Sequence, residues 1–280
     1  MDHSLGEQLI EALPLLLMMI STGLAGGILA GLLGVGGGIV IVPVMEVALG
    51  LVGVDPAIRM HVAVATSLST IMVTSVSSAK AHHRKGAIDL DVTRLWAAPI
   101  LIGSAAGVVV ASQVSSGVLS LVFGGIAALV TLKMILPLDG KHITSAVPRG
   151  IVGMVPPAFV GLFSSMMGIG GGTLSVPAMT LMGQPIHRAV GTASLFGLLI
   201  SVPATIGFIL TGWGDPRLPA GSLGFVNAIG FLVITPATWV AAPWGAKLAH
   251  AMTPRHLSIA FGCFLAIVAA RMLYRAALTL

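Results

Sequence analysis

Residues 34–43 read GVGGGIVIVP, and residues 168–177 read GIGGGTLSVP. Six of the ten positions are identical, and the second stretch follows the first at an offset of 134. Four glycines within five residues interrupt a helix, because each glycine costs about 1 kcal/mol relative to alanine in a helix interior. Apolar residues nevertheless continue on both sides of each cluster. An apolar segment that is broken by glycine once in each half of a chain indicates the binding site of a membrane transporter.

The composition places the chain in a membrane. Of its 280 residues 56% are hydrophobic and 8% are charged, and its mean hydropathy is +1.04. A soluble domain has about 25% charged residues. The apolar runs are continuous and near twenty residues long, which predicts helices rather than the roughly ten-residue alternating strands of a barrel. The first run has no small-residue cleavage site after it, so we expect a retained span rather than a signal peptide.

The net charge of +5 does not indicate nucleic-acid binding, because the basic residues lie between spans, as the positive-inside rule requires. The one cysteine, Cys263, excludes an internal disulfide. The chain has no CxxC, HExxH, Walker or dinucleotide-binding motif. We therefore expect no catalytic residues, no metal site and no cofactor.

The apolar runs predict an all-α polytopic membrane protein with two homologous halves, residues 1–138 and 139–280. Each half has four segments, of which the first is a glycine-broken hairpin. The predicted helices of the first half are 9–33, 39–54, 57–79, 95–111 and 118–136. Those of the second half are 151–167, 173–182, 186–210, 223–249 and 257–278. A linker at 137–148 divides the halves, and residues 63–66 (AVAT) match 189–192 (AVGT) at an offset of 126.

The halves are related either as parallel or as inverted repeats. If each glycine-broken segment returns to its own side of the membrane, the halves are inverted, and ten basic residues lie inside against four outside. If it crosses, the count is the same, so the positive-inside rule does not decide. The arms 39–54 and 173–182 are only about 24 Å and 15 Å long, against a hydrocarbon core of about 30 Å. These lengths favour re-entrant hairpins and inverted repeats.

The glycine clusters are the predicted substrate site. A helix that restarts after glycine presents unpaired N–H groups and the positive end of its dipole. An anion satisfies such groups, and two repeats direct two helix ends at one central site. The alternative is that the glycines only allow helices to pack closely. The glycines in the predicted site are Gly36, Gly37 and Gly38 in the first cluster and Gly170, Gly171 and Gly172 in the second.

Hydroxyl groups follow each hairpin at matching positions. Thr66 and Ser67 lie early in the helix after the first hairpin, and Thr192 and Ser194 lie in the matching region of the second half. Hydroxyls donate to an oxyanion without adding charge, so we predict that these four residues bind the substrate. The alternative is that they bond to the preceding helical turn or across a helix interface.

Five ionisable residues near the hairpins are candidates for gating or proton coupling. His61 and His187 begin matching helices beside Arg59 and Arg188, and histidine titrates near neutral pH. Glu46 lies in the first short arm, where an acid at membrane depth is a functional candidate. The alternative for each is a charged residue at the membrane interface.

The two GxGGGxxxxP clusters, each followed by an A-V-x-T segment, resemble the sulfite exporter TauE/SafE family of bacterial membrane permeases. The resemblance covers nearly the whole chain; the second copy departs from the pattern at residues 191–194, which read GTAS. It implies a secondary transporter of small anions such as sulfite, sulfonates or related organosulfur anions, in the bacterial inner membrane. Its partners are then the anion and the lipid bilayer, with no nucleic acid, and a homo-oligomer stays open. A cation or metal carrier and an intramembrane enzyme are the alternatives.

Overall fold

The protein is almost entirely helical. The computed structural model describes residues 17–30, 37–135, 147–148, 150–251 and 254–279. The helices of the first half are α1 (Leu17–Ala30), α2 (Gly38–Leu51), α3 (Pro56–Arg84), α4 (Leu90–Gln113) and α5 (Ser116–Ile135). Those of the second half are α6 (Ile151–Met167), α7 (Gly172–Leu181), α8 (Ile186–Thr211), α9 (Ala228–Ala251) and α10 (Pro254–Thr279). The all-α fold predicted from the apolar runs is confirmed.

Among the helix boundaries that differ from the predicted ones, two lie on either side of the loop between α3 and α4. The basic segment after Ala79, beyond the predicted helix 57–79, is helical as far as Arg84. Helix α4 begins five residues earlier than predicted, at Leu90, because the Asp89 carboxylate accepts hydrogen bonds from the N–H groups of Asp91 and Val92. A carboxylate at the N-cap satisfies amides that have no partner inside the helix.

The prediction of a helix from Leu223 is wrong. Residues Ser222–Leu223 (β1) and Val226–Asn227 (β2) form a small antiparallel hairpin, and α9 begins only at Ala228. Gly221 and Gly224 have φ angles of 74° and 55°, which a right-handed helix does not allow. The Asn227 side chain then caps α9 by accepting a hydrogen bond from the Gly230 N–H.

Helices α3 and α8 form the centre of the molecule and run antiparallel. Thr66, early in α3, lies beside Asn227, which follows the end of α8. Thr192, early in α8, lies beside Asp89, which follows the end of α3. Residues 62–65 of α3 have no exposed surface. The two helices that match in sequence therefore pack against each other in opposite directions.

Helices α5 and α10, which also occupy matching places in the two halves, are antiparallel as well. Gly117 at the start of α5 lies against Thr279 at the end of α10, and Gly124 lies against Leu273. A Cβ on Gly124 would be 2.8 Å from Leu273 Cγ. Glycine thus allows the two helix backbones to approach closely, as small residues do in membrane helix pairs.

The remaining contacts also occur in matching pairs. Helix α4 packs on α6, where Gly103 faces the backbone of Ala158. Helix α9 packs on α1, where Gly27 faces the backbone of Thr238. The fourth helix of each half thus packs against the first helix of the other half.

The helix ends define two faces of the molecule. The loop 52–55 and the hairpin 222–227 lie at one end, which we call the Asn227 face. The loop lines a cleft there together with Arg217, Pro219 and Ala220, which precede the hairpin. The loops 85–89 and 182–185 lie at the other end, the Asp89 face, where Gln184 and Arg188 contact Asp89.

Five helices in the described part are long and apolar enough to cross a membrane: Pro56–Arg84, Leu90–Gln113, Ser116–Lys133, His187–Thr211 and Gly262–Thr279. Large apolar side chains lie exposed on the outer surface of these helices, among them Ile102, Leu129 and Ile267. A surface of this kind is suited to lipid rather than water.

Candidate functional site

The two glycine clusters meet in the interior. A Cβ placed on Gly38 would lie 2.4 Å from the carbonyl oxygen of Gly168 and 3.0 Å from Ser67 Oγ. Ser67 donates a hydrogen bond of 2.7 Å to that same carbonyl. The start of α2, the break after α6 and the middle of α3 therefore converge on one buried point.

Each cluster turns the chain because its glycines adopt conformations that other residues rarely adopt. Gly37 has φ 70° before α2, and Gly168 has φ 68° after α6. Gly26 of α1 lies against both Gly37 and Ile41, so α1 and α2 run side by side in opposite directions. Helix α7 likewise returns along α8, since Gly171 lies against Phe196 and α7 ends in the loop before Ile186.

The other predicted glycines are also accounted for. Gly170, Gly171 and Gly172 are buried, and a Cβ on Gly171 would lie 2.8 Å from Phe196 Cβ and 2.9 Å from the Gly197 nitrogen. Gly36 lies outside the described residues. Gly38 against α3 and Gly171 against α8 thus have no room for a side chain.

Helix α7 begins with free backbone donors. The Gly171 carbonyl accepts from the Ser175 N–H, which closes the first turn. The N–H groups of Gly172, Thr173 and Leu174 have no acceptor within the described part of the chain. A helix N-terminus with free amides carries partial positive charge and favours an anion.

Three buried hydroxyl groups around the second cluster have no hydrogen-bonding partner in the described part of the chain. They belong to Ser164 in the last turn of α6 and to Thr173 and Ser175 in the first turn of α7. Ser164 and Ser175 have no exposed surface, and Thr173 is 5% exposed. A buried polar group without a partner costs about 1–3 kcal/mol, so such a group calls for a ligand or another explanation.

The sequence analysis missed these three hydroxyls, although the repeat contains the signal. The first cluster has Ile39 and Ile41 at the positions of Thr173 and Ser175. Polar residues in one copy of an otherwise apolar repeat mark the place where the two halves differ in chemistry.

The predicted threonines make a matched pair of contacts between the halves. Thr66 Oγ1 accepts a 2.9 Å hydrogen bond from the Asn227 N–H on the Asn227 face. Thr192 Oγ1 accepts a 2.9 Å hydrogen bond from the Asp89 N–H on the Asp89 face. Each hydroxyl accepts in these contacts, so its own hydrogen is still available to donate.

The predicted serines differ from the threonines because their hydrogens are already engaged. Ser67 donates to Gly168 O, and Ser194 donates 2.6 Å back to Gly191 O. Both are buried. Ser67 therefore holds the second glycine break against α3, while Ser194 bonds to the preceding turn of its own helix.

Glu46 is fully buried in α2 and is paired with two arginines of α10. Arg275 forms an ion pair with the Glu46 carboxylate, and Arg271 Nη2 lies 3.4 Å from Glu46 Oε2. Both arginines are distant from Glu46 in sequence, so sequence reasoning did not link them. The Glu46 side chain is 1% exposed, so it lies inside the protein.

The predicted basic residues lie in two different environments. His61 is buried, and its Nε2 donates 2.9 Å to the Ala111 carbonyl, which joins α3 to α4. Arg59 donates to the Val54 carbonyl at 3.0 and 2.7 Å. His187 is exposed, and Arg188 lies 3.5 Å from the Asp89 carboxylate. None of the four contacts the glycine clusters.

An apolar outer surface, helices long enough to span a bilayer and two broken helices that meet at a buried polar centre define the class of the protein. It is a multi-pass α-helical membrane protein whose architecture is that of a transporter.

The sequence profile of the sulfite exporter TauE/SafE family matches residues 19–272, so the chain belongs to this family and the resemblance seen in its motifs is confirmed. A probable membrane transporter protein of Haemophilus influenzae is 30% identical over 92% of this chain and 97% of that protein. The probable membrane transporter protein YunE of Bacillus subtilis is 26% identical over 92% and 97%. The probable membrane transporter protein MJ0441 of Methanocaldococcus jannaschii is 26% identical over 94% and 97%. No solved structure matches the chain.

Family and relatives together make this protein a membrane transporter that works in a lipid bilayer on a small substrate.

Proposed function

We propose that the protein is a secondary transporter of small anions, with sulfite or sulfonates as its substrates, in the inner membrane of a bacterium. The family description names sulfite export. The interior chemistry supports an anion: the first turn of α7 presents free amides and hydroxyls at the centre, and neither α2 nor α7 contains a lysine or arginine. Partial charges hold an anion without trapping it, which a carrier that must release its substrate requires.

The unpartnered hydroxyls of Ser164, Thr173 and Ser175 carry this proposal. They flank the break between α6 and α7, where the free amides of α7 also lie. A tetrahedral or pyramidal oxyanion accepts hydrogen bonds from several donors at once. An ion at the start of α7 takes the Thr173 hydroxyl together with the free amides, whereas Ser175, two residues further on, faces another side of the helix. The described glycines of the two clusters, Gly37, Gly38, Gly170, Gly171 and Gly172, supply the close backbone approach, and Thr66 and Thr192 supply further donors. Gly36 was predicted to belong to this set and lies outside the described residues.

The two halves act as inverted repeats, each beginning with a re-entrant hairpin. The antiparallel packing of α3 on α8 and of α5 on α10 supports this relation, because parallel repeats would align matching helices in the same direction. Both arms of the first hairpin then have their outer ends at the Asn227 face, and those of the second hairpin at the Asp89 face. In this arrangement we expect residues 80–94 and 137–149 on the cytoplasmic side, as their basic residues favour. Of the second segment the structure describes only residues 147 and 148.

The contacts of Thr66 and Thr192 act as latches on opposite sides of the substrate. Each threonine holds a loop of the other half over its own helix. A hydroxyl that donates to the anion while it accepts from the loop links substrate binding to loop position. Release of one latch at a time opens the site to one side only. Arg188, through its pair with Asp89, and His61, through its tilted ring contact with Phe225, support the two closed loops.

The test is sulfite uptake into liposomes that contain the purified Thr173→Val variant. Loss of one hydrogen bond to a charged ligand, about 1.5–3 kcal/mol, lowers affinity by about tenfold or more. The matched control is Thr205→Val in α8, whose hydroxyl is also buried and unpartnered. Replacing an unpartnered buried hydroxyl by a methyl group is neutral or stabilising, so both variants fold.

Equal sulfite affinity in Thr173→Val and Thr205→Val would remove the hydroxyl cluster from the site. Sulfite flux no faster than in protein-free liposomes, together with uptake of a metal cation, would refute anion transport itself.

A further inference from the structure

Among the residues that the structure describes, the ion cluster between α2 and α10 has an excess of positive charge. One carboxylate, Glu46, faces two guanidinium groups, those of Arg271 and Arg275. The Glu46 side chain is 1% exposed and that of Arg275 is 16% exposed. Ion pairs in such surroundings are costly to desolvate, so an unbalanced cluster is not explained by stability alone.

The cluster also has an unused donor. The Nε–H of Arg275 is buried and has no hydrogen-bonding partner in the described residues. By contrast, Arg217 in the loop before the hairpin makes a balanced pair, with its Nε and Nη2 atoms 2.9 and 2.6 Å from the two oxygens of Asp215. Arg275 can therefore donate a further hydrogen bond from its Nε–H, whereas the Nε–H of Arg217 is already used.

The position of the cluster connects it to the centre. Glu46 lies eight residues after Gly38 on the same helix, or about 12 Å nearer the Asn227 face. Arg275 lies in the penultimate turn of α10, whose end meets the start of α5 on that face. The second repeat has Thr180 in place of Glu46, so the matching position on the Asp89 side lacks the carboxylate.

We propose that Arg271 and Arg275 form a second anion site between the centre and the Asn227 face, and that Glu46 occupies it as an internal carboxylate when no external anion is bound. The ligand class is a small divalent or monovalent oxyanion. This inference rests on the proposed transport of anions and adds to it a second binding site, on one side of the central site only.

Carboxylates and sulfur oxyanions offer arginine the same acceptor geometry, which is why a side-chain carboxylate can stand in for the transported ion. An incoming oxyanion displaces one Glu46 oxygen and takes the free Arg275 Nε–H as well. The displaced carboxylate then repels the anion, which favours its release. The site thus passes an anion on rather than storing it.

The experiment counts sulfite ions bound to purified protein by isothermal titration calorimetry. Glu46→Gln removes the internal competitor, so we expect one more bound sulfite ion per chain than in the wild type. The additional Arg275→Gln change removes that extra ion. Asp215→Asn is the matched control, since it frees an arginine in a loop that has no second guanidinium, and we expect no extra ion there.

An unchanged number of bound ions in Glu46→Gln, or an extra ion that persists in the double variant, overturns the proposal. If Glu46→Gln does not fold, Arg271→Gln is the substitute, because Arg271 is half exposed. It should raise the KM for sulfite by about tenfold with little change in kcat, since one charge-assisted hydrogen bond is lost. An unchanged KM contradicts the proposal.

The two proposals fail in different ways. If the central site is wrong, Thr173→Val leaves sulfite binding unchanged, yet Glu46→Gln still gains its ion. If only the arginine site is wrong, the wild type and Glu46→Gln bind the same number of ions, and Thr173→Val weakens that binding.

Discussion

Replacing Gly38 by alanine tests whether the two glycine clusters support each other. A Cβ there would lie 2.4 Å from Gly168 O, 2.8 Å from Ile71 Cδ1 and 3.0 Å from Ser67 Oγ. Ordinary contacts begin at 3.4 Å, so the Gly168 backbone must retreat by about 1 Å. Overpacking of this kind costs about 1–3 kcal/mol. We expect Gly38→Ala to unfold at a lower temperature than the wild type and to lose sulfite transport.

Gly125 provides the matched control, since it lies in α5 and a Cβ there meets nothing within 4 Å. Gly125→Ala should stabilise the protein slightly, because alanine gains about 0.5–1 kcal/mol over glycine in a helix. Thermal unfolding in detergent, followed by tryptophan fluorescence, and liposome transport are measured on both variants. If Gly38→Ala unfolds at the same temperature as Gly125→Ala and transports sulfite at the wild-type rate, the contact between the glycine clusters is needed neither for stability nor for transport.

Three further predictions concern the latches, the loop ion pair and the topology. Thr66→Val should increase amide hydrogen exchange in the peptide that contains Asn227, and Thr192→Val should do so in the peptide that contains Asp89. The expected increase is about fivefold for one lost hydrogen bond. The corresponding Thr→Ser variants should keep the wild-type exchange rate, and unchanged exchange in both valine variants contradicts the latches. Hydrogen bonding from Arg217 lowers the pKa of Asp215 to about 2. A carboxyl group whose pKa is lower in the folded than in the unfolded protein stabilises the fold at pH values above its unfolded-state pKa, and this effect is lost as the pH falls through about 2. Asp215→Asn should therefore lower the melting temperature slightly at neutral pH and not near pH 2. An equal difference in melting temperature at both pH values contradicts this. A C-terminal reporter that is active only in the cytoplasm should stay dark, and a bright reporter would refute the inverted arrangement.

Much of the architecture follows from local features of the sequence. The helix 151–167 was predicted with the bounds it has, because a glycine cluster ends it and a polar linker precedes it. The repeated glycine stretch predicted two breaks at one centre, and in the structure Gly38 lies against the Gly168 carbonyl. Hydropathy and the glycine motif are properties of consecutive residues, so helix positions and helix breaks can be predicted from the sequence.

Contacts between distant residues could not be predicted in this way. Nothing near Glu46 indicates Arg271, which is 225 residues away, and the two meet only in the folded chain, through their side chains. The apolar run from Leu223 suggested a helix, whereas the positive φ of Gly224 requires a turn. The partner of each threonine, a backbone N–H in the other half, depends on the antiparallel packing of α3 and α8.

The central claim is that an oxyanion binds at the break between α6 and α7. The direct measurement is an anomalous difference map from crystals grown with selenite, a pyramidal anion like sulfite whose selenium atom scatters anomalously. The account predicts a selenium peak within hydrogen-bonding distance of the Thr173 hydroxyl and the first amides of α7, and no such peak in Thr173→Val. A map without a peak at this break, at selenite concentrations that saturate transport, would contradict the account.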